Sequence, residues 1–396
     1  MEQKIITAKD DYRELHEWFR DHSVKRLLLV CDSSIVFQKK LNEQLDQIEA
    51  LGIDIIRFSD FVPNPLYESV VNGVDIFLSN KCDAIFAVDG GSSIDVAKCI
   101  KLYCNMDRSK SFLTQEIVPN DIPFLAMPTT AGTGSEATRY AVIYLGDEKQ
   151  SITSDSCIPK TVLLDHNSLK TLPLYQKKST MMDALCHAVE SYWSVNSNEE
   201  SKEYARSAIS GILENMDGYL NNTDEGNHGM LLAANLAGKA INITQTTAGH
   251  AMCYKITSHL GPSHGHAAIL CDRVLYPWMI ENTDKCIDVR GEQYLKDTLD
   301  EIAVLFGFKD ARDGALCLEE IFERLDMDIP SVSDEEIDVL KTSVNPVRLK
   351  NHPIKLDIDT IEMLQKDIEN KLDFCFVNTV LYIIIISRYR FGRIVI

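Results

Sequence analysis

The residues with the clearest potential for chemistry are an aspartate and several histidines in the second half of the chain. Asp183 and His187 are four residues apart, so a helix would place both side chains on one face, where they could share a divalent ion. An ion pair on a helix surface is the alternative. His250, His264 and His266 follow within a short stretch that contains several glycines, which indicates further ligands. Nitrogen and oxygen ligands without a thiolate suit Fe²⁺ or Zn²⁺, and either ion could polarise a carbonyl oxygen for hydride attack.

Two segments rich in glycine and hydroxyl groups could bind phosphate. Residues 89–98 read DGGSSIDVAK and follow an apolar run, so Gly90 and Gly91 would let the backbone approach a pyrophosphate. Ser92 or Ser93 could cap the helix that follows, although an ordinary strand-to-helix turn is the alternative. Residues 127–138 read MPTTAGTGSEAT and also follow an apolar run. Two such loops at one edge of a parallel sheet would form a nucleotide cleft.

Asp32 stands directly after the first long apolar run. A carboxylate at this place could accept hydrogen bonds from an adenosine ribose and would repel a 2′-phosphate, which favours NAD over NADP. A loop aspartate that caps the next helix is the alternative interpretation.

The first part of the chain, which must position these loops, has the pattern of an α/β domain. Amphipathic stretches alternate with short apolar runs, which lie at 26–31, 53–58, 84–88 and 123–128. Residues 35–51 predict a helix that ends at Gly52. Alternating strands and helices predict a parallel sheet covered by helices on both faces. We therefore predict a dinucleotide-binding α/β domain over residues 1–173.

The rest of the chain is predicted to be mainly helical. Helical periodicity extends over three long segments, 178–221, 229–258 and 293–326, and loops are predicted at 221–227 and 330–336. This pattern predicts an all-α domain over residues 174–370, which contains the candidate metal ligands. Residues 371–396 form an atypical extension. Its apolar run, 374–386, is too short to span a bilayer as a helix, which needs about 20 residues.

Composition narrows the classes of function. The chain has 396 residues, 45% of them hydrophobic, and its formal net charge of −19 disfavours nonspecific binding to nucleic acid or to an anionic membrane. An anionic substrate would therefore need a local basic pocket. The 11 cysteines include no CxxC pair, which argues against a disulfide or zinc-ribbon framework. Because no signal-peptide pattern begins the chain, a cytoplasmic location is expected.

In their types and order, these motifs resemble the iron-containing, or group III, alcohol dehydrogenase family over about residues 5–367. The resemblance rests on residues 90–98, 128–136 and 183–190, and on His250, His264 and Gly265. It implies a dehydroquinate synthase-like fold, in which an N-terminal dinucleotide-binding domain and a C-terminal helical domain enclose NAD(H), a metal ion and a small aldehyde or alcohol. The expected metal is Fe²⁺, with Zn²⁺ as the alternative, and the expected assembly is a homodimer.

The resemblance also implies roles for individual residues. The implied metal ligands are Asp183, His187, His250 and His264, and His259 and His266 are not among them. The residues implied to bind the cofactor are Asp32, Gly90, Gly91, Ser92, Thr129, Thr130 and Thr133.

Two positions depart from the pattern of the family. Asp89 replaces the first glycine of the phosphate loop, where an acidic side chain is unfavourable unless it points away or meets a cation. Tyr254 stands where many members place a histidine that relays the alcohol proton. A tyrosine hydroxyl can still pass a proton, so Tyr254 is the candidate catalytic residue, and a chain of ribose and water is the alternative.

Two cations suggest the class of substrate. Lys255 and Arg139 stand where simple alcohol dehydrogenases usually carry uncharged residues, which favours a phosphonate or carboxylate on the substrate. The segments 250–268 and 345–349 resemble the branch that reduces phosphonoacetaldehyde to 2-hydroxyethylphosphonate. The alternatives are a solvated lysine and a structural ion pair.

Other functions stay open at this point. An uncharged or different aldehyde such as butanal, lactaldehyde or succinic semialdehyde is the nearest alternative. A sugar-phosphate cyclase of the dehydroquinate synthase type would share the architecture and use NAD only transiently. A noncatalytic NAD-binding sensor is a third class, and the full set of metal ligands argues against it.

Overall fold

The protein is described by a computed structural model over residues 3–8 and 11–369. The apolar run at 374–386 and the extension predicted over 371–396 lie outside the described residues. Among the helices of the described ranges, none combines the length and the apolar character that crossing a membrane requires.

A parallel sheet organises the first part of the described chain. Its strands are β1 (Lys4–Thr7), β2 (Arg26–Cys31), β3 (Asp54–Phe58), β4 (Ala84–Asp89), β5 (Phe124–Pro128) and β8 (Thr161–Leu164). They lie in the order β1-β8-β5-β4-β2-β3, and every neighbouring pair is parallel. Two further strands, β6 (Tyr140–Leu145) and β7 (Glu148–Thr153), form a separate antiparallel hairpin.

Helices cover both faces of the sheet because alternate side chains of the buried strands point to opposite sides. The covering helices are α1 (Arg13–Asp21), α2 (Lys39–Ala50), α3 (Tyr67–Ser79) and α4 (Gly91–Tyr103). In β2, Leu27 and Leu29 belong to the apolar core shared with α1 and α2. Leu28 and Val30 belong to the core shared with α3 and α4. The predicted parallel sheet with two covered faces is confirmed.

Two local predictions differ from the structure. The helix predicted over 35–51 begins only at Lys39, because Asp32 accepts the N–H of Ser34 and a 3₁₀ turn forms over Ser33–Phe37 first. The β6–β7 hairpin was not predicted, since the sequence of β7, EKQSIT, is mostly polar and has little of the apolar character of a buried strand.

The second part of the described chain is helical, as predicted. Its helices are α5 (Leu174–Trp193), α6 (Glu199–Leu220), α7 (Asp224–Thr244), α8 (Ala248–Leu260), α9 (His264–Glu281), α10 (Glu292–Leu305), α11 (Cys317–Leu325), α12 (Asp334–Thr342), α13 (Pro346–Leu349) and α14 (Ile358–Asp367). The loop predicted at 221–227 is shorter, because Thr223 accepts the N–H of Gly226 and starts α7 early. Helix α5 lies centrally and packs against α6, α7 and α9. The domain boundary predicted after residue 173 stays a prediction.

The loop after β5 joins the two parts of the molecule by close backbone contact. A Cβ on Gly132 would lie 2.7 Å from the carbonyl oxygen of Thr180 in α5, and a Cβ on Gly134 would lie 2.5 Å from Cα of Gly238 in α7. Gly134 also has φ +59°, a conformation that glycine adopts without strain. Glycine therefore lets this loop reach the turn of α5 that precedes Asp183.

Candidate active site

A cavity lies at the carboxyl ends of the neighbouring strands β3, β2 and β4, and the loop after β5 lies beside it. β2 lies beside β4 and β4 beside β5, so Asp32, the Gly90 loop and the Thr129 loop are brought together. The cavity has a volume of about 340 Å³, and its lining includes Asp32, Asp89, Gly90, Gly91 and Ser92. Nucleotides bind at such edges in open parallel sheets, where strand order changes direction.

The first turn of α4 faces this cavity with its backbone N–H groups free of side-chain caps. Gly90 is the residue before the helix and offers no side chain, and the predicted cap by Ser92 or Ser93 is absent from the described structure. Ser93 instead donates its hydroxyl to Asp89 at 3.0 Å. Uncapped N–H groups and the positive end of the helix dipole suit an anion.

Asp89 has a backbone conformation that glycine adopts more easily than other residues. Its φ is +145°, which strains an L-residue. The carboxylate accepts hydrogen bonds from Thr129 Oγ1 at 2.9 Å and from Ser93, so hydroxyl groups and not a cation accommodate it. Burial, followed by the neighbouring charge of Asp32, raises the pKa of Asp89. Asp32 itself accepts the N–H of Ser34 at 2.7 Å, so it caps a turn and also lines the cavity.

The threonines of the second loop lie against the first loop. A Cβ on Gly90 would lie 3.6 Å from Thr130, and a Cβ on Gly91 would lie 3.1 Å from Thr133 Oγ1. Thr129 is buried and bonded to Asp89. The structure thus brings together all seven residues that the sequence analysis assigned to the nucleotide.

Three imidazole nitrogens surround one carboxylate oxygen in the helical part. Asp183 Oδ1 lies 3.4 Å from Nε2 of His250, 3.8 Å from Nε2 of His264 and 3.9 Å from Nε2 of His187. Donor atoms that bind one ion at about 2.1 Å in a tetrahedron lie roughly 3.4 Å from each other. Asp183, His187 and His250 offer ligand atoms that all lie within 4.8 Å of one another, which fits a divalent ion. His264 lies near Asp183 but outside this group, and α5, α8 and α9 supply the four residues.

The close approach of α9 to α5 depends on Gly265. A Cβ at this position would lie 2.0 Å from the carbonyl oxygen of Ser179 and 2.7 Å from Cβ of Asp183. Without a side chain, the start of α9 can bring His264 next to Asp183. His266, in contrast, contacts the hydroxyl of Tyr175 at 3.1 Å and the carbonyl oxygen of Asp328 at 2.8 Å, which is a structural role.

The protonation states of three of the four residues suit metal binding, whereas His250 must give up a proton to bind a metal ion. Burial lowers the pKa of both His187 and His264 to about 4, so both imidazoles are neutral near pH 7. For Asp183, burial acts to raise the pKa, but the neighbouring imidazoles outweigh it and the pKa falls well below its usual value. A carboxylate and neutral imidazoles are the forms that bind metal ions. For His250, the effect of burial is outweighed by the Glu190 carboxylate, and its pKa rises to about 10.

Glu190 holds His250 in place, a role that the sequence analysis did not assign. It lies seven residues after Asp183 on the same face of α5 and is completely buried. Its Oε1 accepts the backbone N–H of His250 at 2.9 Å and contacts the Nδ1 of that imidazole. A carboxylate behind a ligating histidine orients the ring and raises its basicity. The sequence offered one signal for this role, namely the spacing of Asp183, His187 and Glu190, which places all three on one face of a helix.

Tyr254 lies beside the ligand set, one turn after His250. Its ring stacks on His264 with centroids 5.4 Å apart. Burial raises the pKa of Tyr254 to about 12, so the hydroxyl keeps its proton near pH 7. Two cations flank the ring: Lys149 Nζ lies 3.7 Å from its centroid and the Arg348 guanidinium lies 5.9 Å from it.

The two cations proposed from the sequence have different surroundings. Arg139 forms an ion pair with Asp155 at 3.1 Å and donates to Asn242 at 3.1 Å, which supports the alternative of a structural ion pair. Lys255 follows Tyr254 in α8 and is half-buried, and its side chain forms no ion pair within the described residues. Substrate binding by Lys255 stays a prediction.

Comparison with known proteins agrees with this architecture over most of the chain. Residues 2–166 match the family described as iron-containing alcohol dehydrogenase, and residues 177–346 match the C-terminal domain of the same family. Phosphonoacetaldehyde reductase of Streptomyces viridochromogenes is 30% identical over 292 residues, which cover 68% of this chain and 73% of that protein. The 1,3-propanediol dehydrogenase of Citrobacter freundii is 31% identical over 274 residues, which cover 67% and 71%.

A solved structure shows the same fold. Sulfoacetaldehyde reductase from Bifidobacterium kashiwanohense, in complex with NAD⁺, superposes with a TM-score of 0.81 at 24% identity and covers 93% of this chain and 97% of that chain. The resemblance read from the motifs is confirmed by these matches. The chain belongs to the iron-containing alcohol dehydrogenase family.

Proposed function

We propose that the chain is a metal-dependent, NADH-linked reductase that converts phosphonoacetaldehyde to 2-hydroxyethylphosphonate. The observation that carries the reaction class is the convergence of three imidazole nitrogens on Asp183 Oδ1. The phosphonate substrate is supported by the match to a phosphonoacetaldehyde reductase over two thirds of this chain. Reduction of another small aldehyde, such as butanal or succinic semialdehyde, is the alternative within the family.

Asp183, His187, His250 and His264 would hold the metal ion, which we expect to be Fe²⁺, with Zn²⁺ as the alternative. When bound, the ion supplies a Lewis acid for a carbonyl oxygen, and the nicotinamide supplies the hydride. The loop at Gly132 contacts α5 at Thr180, one turn before Asp183, which supports a cofactor bound close to the ligand set. Tyr254 keeps its phenolic proton near pH 7 and can donate it to the product oxygen.

The nucleotide cavity favours NAD over NADP. Asp32 and Asp89 both line it, and two carboxylates disfavour the additional phosphate of NADP. Gly90, Gly91 and Ser92 would hold the pyrophosphate against the uncapped start of α4, with Thr129, Thr130 and Thr133 beside it. The homodimer and the cytoplasmic location stay predictions.

Replacing Asp89 with glycine is expected to strengthen cofactor binding. The substitution removes a carboxylate next to the pyrophosphate loop and also removes the strain of an L-residue at φ +145°. We expect a roughly 10-fold lower Kd for NADH, which corresponds to ~1.4 kcal/mol, in a fluorescence titration. Because the pKa of Asp89 is raised, acidification should strengthen NADH binding to the natural chain and less so to the variant.

The Asp89→Asn variant separates the two causes, since it removes the charge but keeps a side chain at the strained position. Tighter binding in both variants would assign the gain to charge, and tighter binding only with glycine would assign it to the absence of a side chain at this position. Unchanged or weaker NADH binding in both would contradict the prediction.

The function is tested by NADH oxidation with protein loaded with Fe²⁺ or Zn²⁺ and, as a control, with protein treated with a chelator. Phosphonoacetaldehyde, succinic semialdehyde, lactaldehyde and butanal are compared as substrates. We expect stoichiometric NADH loss and the highest kcat/KM with phosphonoacetaldehyde. Higher kcat/KM with butanal would overturn the substrate, and failure to oxidise NADH with any aldehyde would overturn the reductase.

A further inference from the structure

Two cations near the ligand set have no anionic partner in the described part of the chain. Lys149 and Arg348 both lie within about 6 Å of the centre of the Tyr254 ring, at 3.7 Å and 5.9 Å. Neither of them forms an ion pair with a carboxylate of residues 3–8 or 11–369. Arg139, in contrast, pairs with Asp155. The chain has a net charge of −19, so two unpaired cations at one place are unusual. They indicate that an anion that is not part of the chain binds between them.

The two cations reach the Tyr254 ring from different elements of the fold. Lys149 belongs to the β6–β7 hairpin. Helix α4 holds this hairpin in place, because Asp95 of α4 accepts the backbone N–H of Val142 at 2.9 Å. Arg348 belongs to α13, which packs against α8, and it donates to Thr246 Oγ1 at 2.6 Å. One cation therefore comes from the α/β part and the other from the helical part.

The two cations also act on each other. Burial and then the charge of Arg348 lower the pKa of Lys149 to about 8, although much of the lysine stem is exposed. The mutual repulsion of the two cations would be relieved by a group that carries negative charge between them.

We propose that Lys149 and Arg348 form the subsite that binds the anionic end of the substrate and selects a doubly charged phosphonate over an uncharged aldehyde. The inference rests on the proposed function, because it assigns the charged end of the same substrate. The Tyr254 ring stacks on His264, and both cations lie close to the same ring. A short substrate can therefore reach from this subsite to the ligand set. An arginine and a lysine together match the oxygens of a phosphonate better than the single charge of a carboxylate.

The test compares Lys149→Gln and Arg348→Gln with the natural chain. We expect each variant to lower the ratio of kcat/KM for phosphonoacetaldehyde to that for butanal by roughly 10- to 100-fold, as for loss of one charge-assisted hydrogen bond. Lys350→Gln is the matched control, because it removes one exposed positive charge two residues from Arg348 and should keep the ratio. Calorimetric titration with 2-hydroxyethylphosphonate gives a readout independent of turnover, and Kd should rise by the same factor.

The outcomes separate the subsite from the function. If the natural chain reduces butanal but not phosphonoacetaldehyde, the proposed substrate fails. If phosphonoacetaldehyde is reduced and both Gln variants keep the ratio and the Kd, the substrate stands and this subsite is wrong. A fall in the ratio only in Arg139→Gln or Lys255→Gln would assign the anion to those residues instead and would equally overturn the proposal.

Discussion

Replacing His264 with alanine is expected to leave a folded protein that no longer retains its metal ion. The side chain is about one third exposed, 37%, so its loss leaves no buried cavity, but it removes one of four donors around the ion. Turnover should fall by a factor on the order of 10³ or more, because the Lewis acid contributes several kcal/mol to the transition state. Metal content after dialysis measures the retention of the ion, kcat measures turnover, and the melting temperature measures whether the protein stays folded.

His259→Ala is the control for this substitution. His259 is exposed and lies on α8 like His250, and its loss should leave metal content and kcat unchanged. A His264→Ala protein that keeps one ion per chain and full turnover would show that the four-residue ligand set is wrong. Loss of metal in both variants would point to a general effect of removing histidines.

Replacing Glu190 with glutamine is expected to weaken metal binding by about 10- to 100-fold, although Glu190 itself is not a candidate ligand. The two carboxylate oxygens of Glu190 make four polar contacts, three with hydrogen-bond donors of the backbone or a hydroxyl and one with the ring nitrogen of His250. Oε1 contacts the backbone N–H and Nδ1 of His250, and Oε2 contacts the backbone N–H and the hydroxyl of Thr247. The Thr247 hydroxyl accepts from Trp193 Nε1 and donates to Glu190, because a carboxylate can only accept.

An amide would place an NH₂ group against at least one of these backbone N–H donors, in either of its two orientations. The variant should therefore also lose stability, by about 1–3 kcal/mol for each donor left without a partner. Metal affinity by competition with a chelator and unfolding in urea measure the two effects. Metal affinity equal to that of the natural chain, in a variant that is destabilised, would show that Glu190 supports only the fold and does not orient His250.

Several features of the structure could be predicted from the sequence, because they depend on the local pattern of residues. The apolar runs at 26–31 and 84–88 became buried strands, since side chains that are apolar on both faces require a covered parallel sheet. Asp183 and His187 share a face because α-helical periodicity alone determines it. The order of the strands, however, brings Asp32 and Gly90 to one cavity and Thr129 to Asp89 beside them, and this order involves pairs distant in the chain.

Other features needed the packed structure. The strand that carries Lys149, β7, has a polar sequence, so no periodicity marked it or the lysine, and only the packing of the hairpin on α4 brings Lys149 to Tyr254. Arg348 was visible only as part of the resembling segment 345–349. Arg139 and Lys255 were chosen because they lie next to the motifs in sequence, but Arg139 is paired with Asp155.

The sequence by itself determined the family, the parallel sheet, the helical second part and the identity of the candidate ligands, because motifs and periodicity are properties of neighbouring residues. Only the tertiary structure decided that Glu190 supports His250, that hydroxyl groups accommodate Asp89, and that Lys149 and Arg348 are the cations beside the ligand set. These contacts join residues distant in the chain, and their distances follow from how helices, hairpin and sheet pack together.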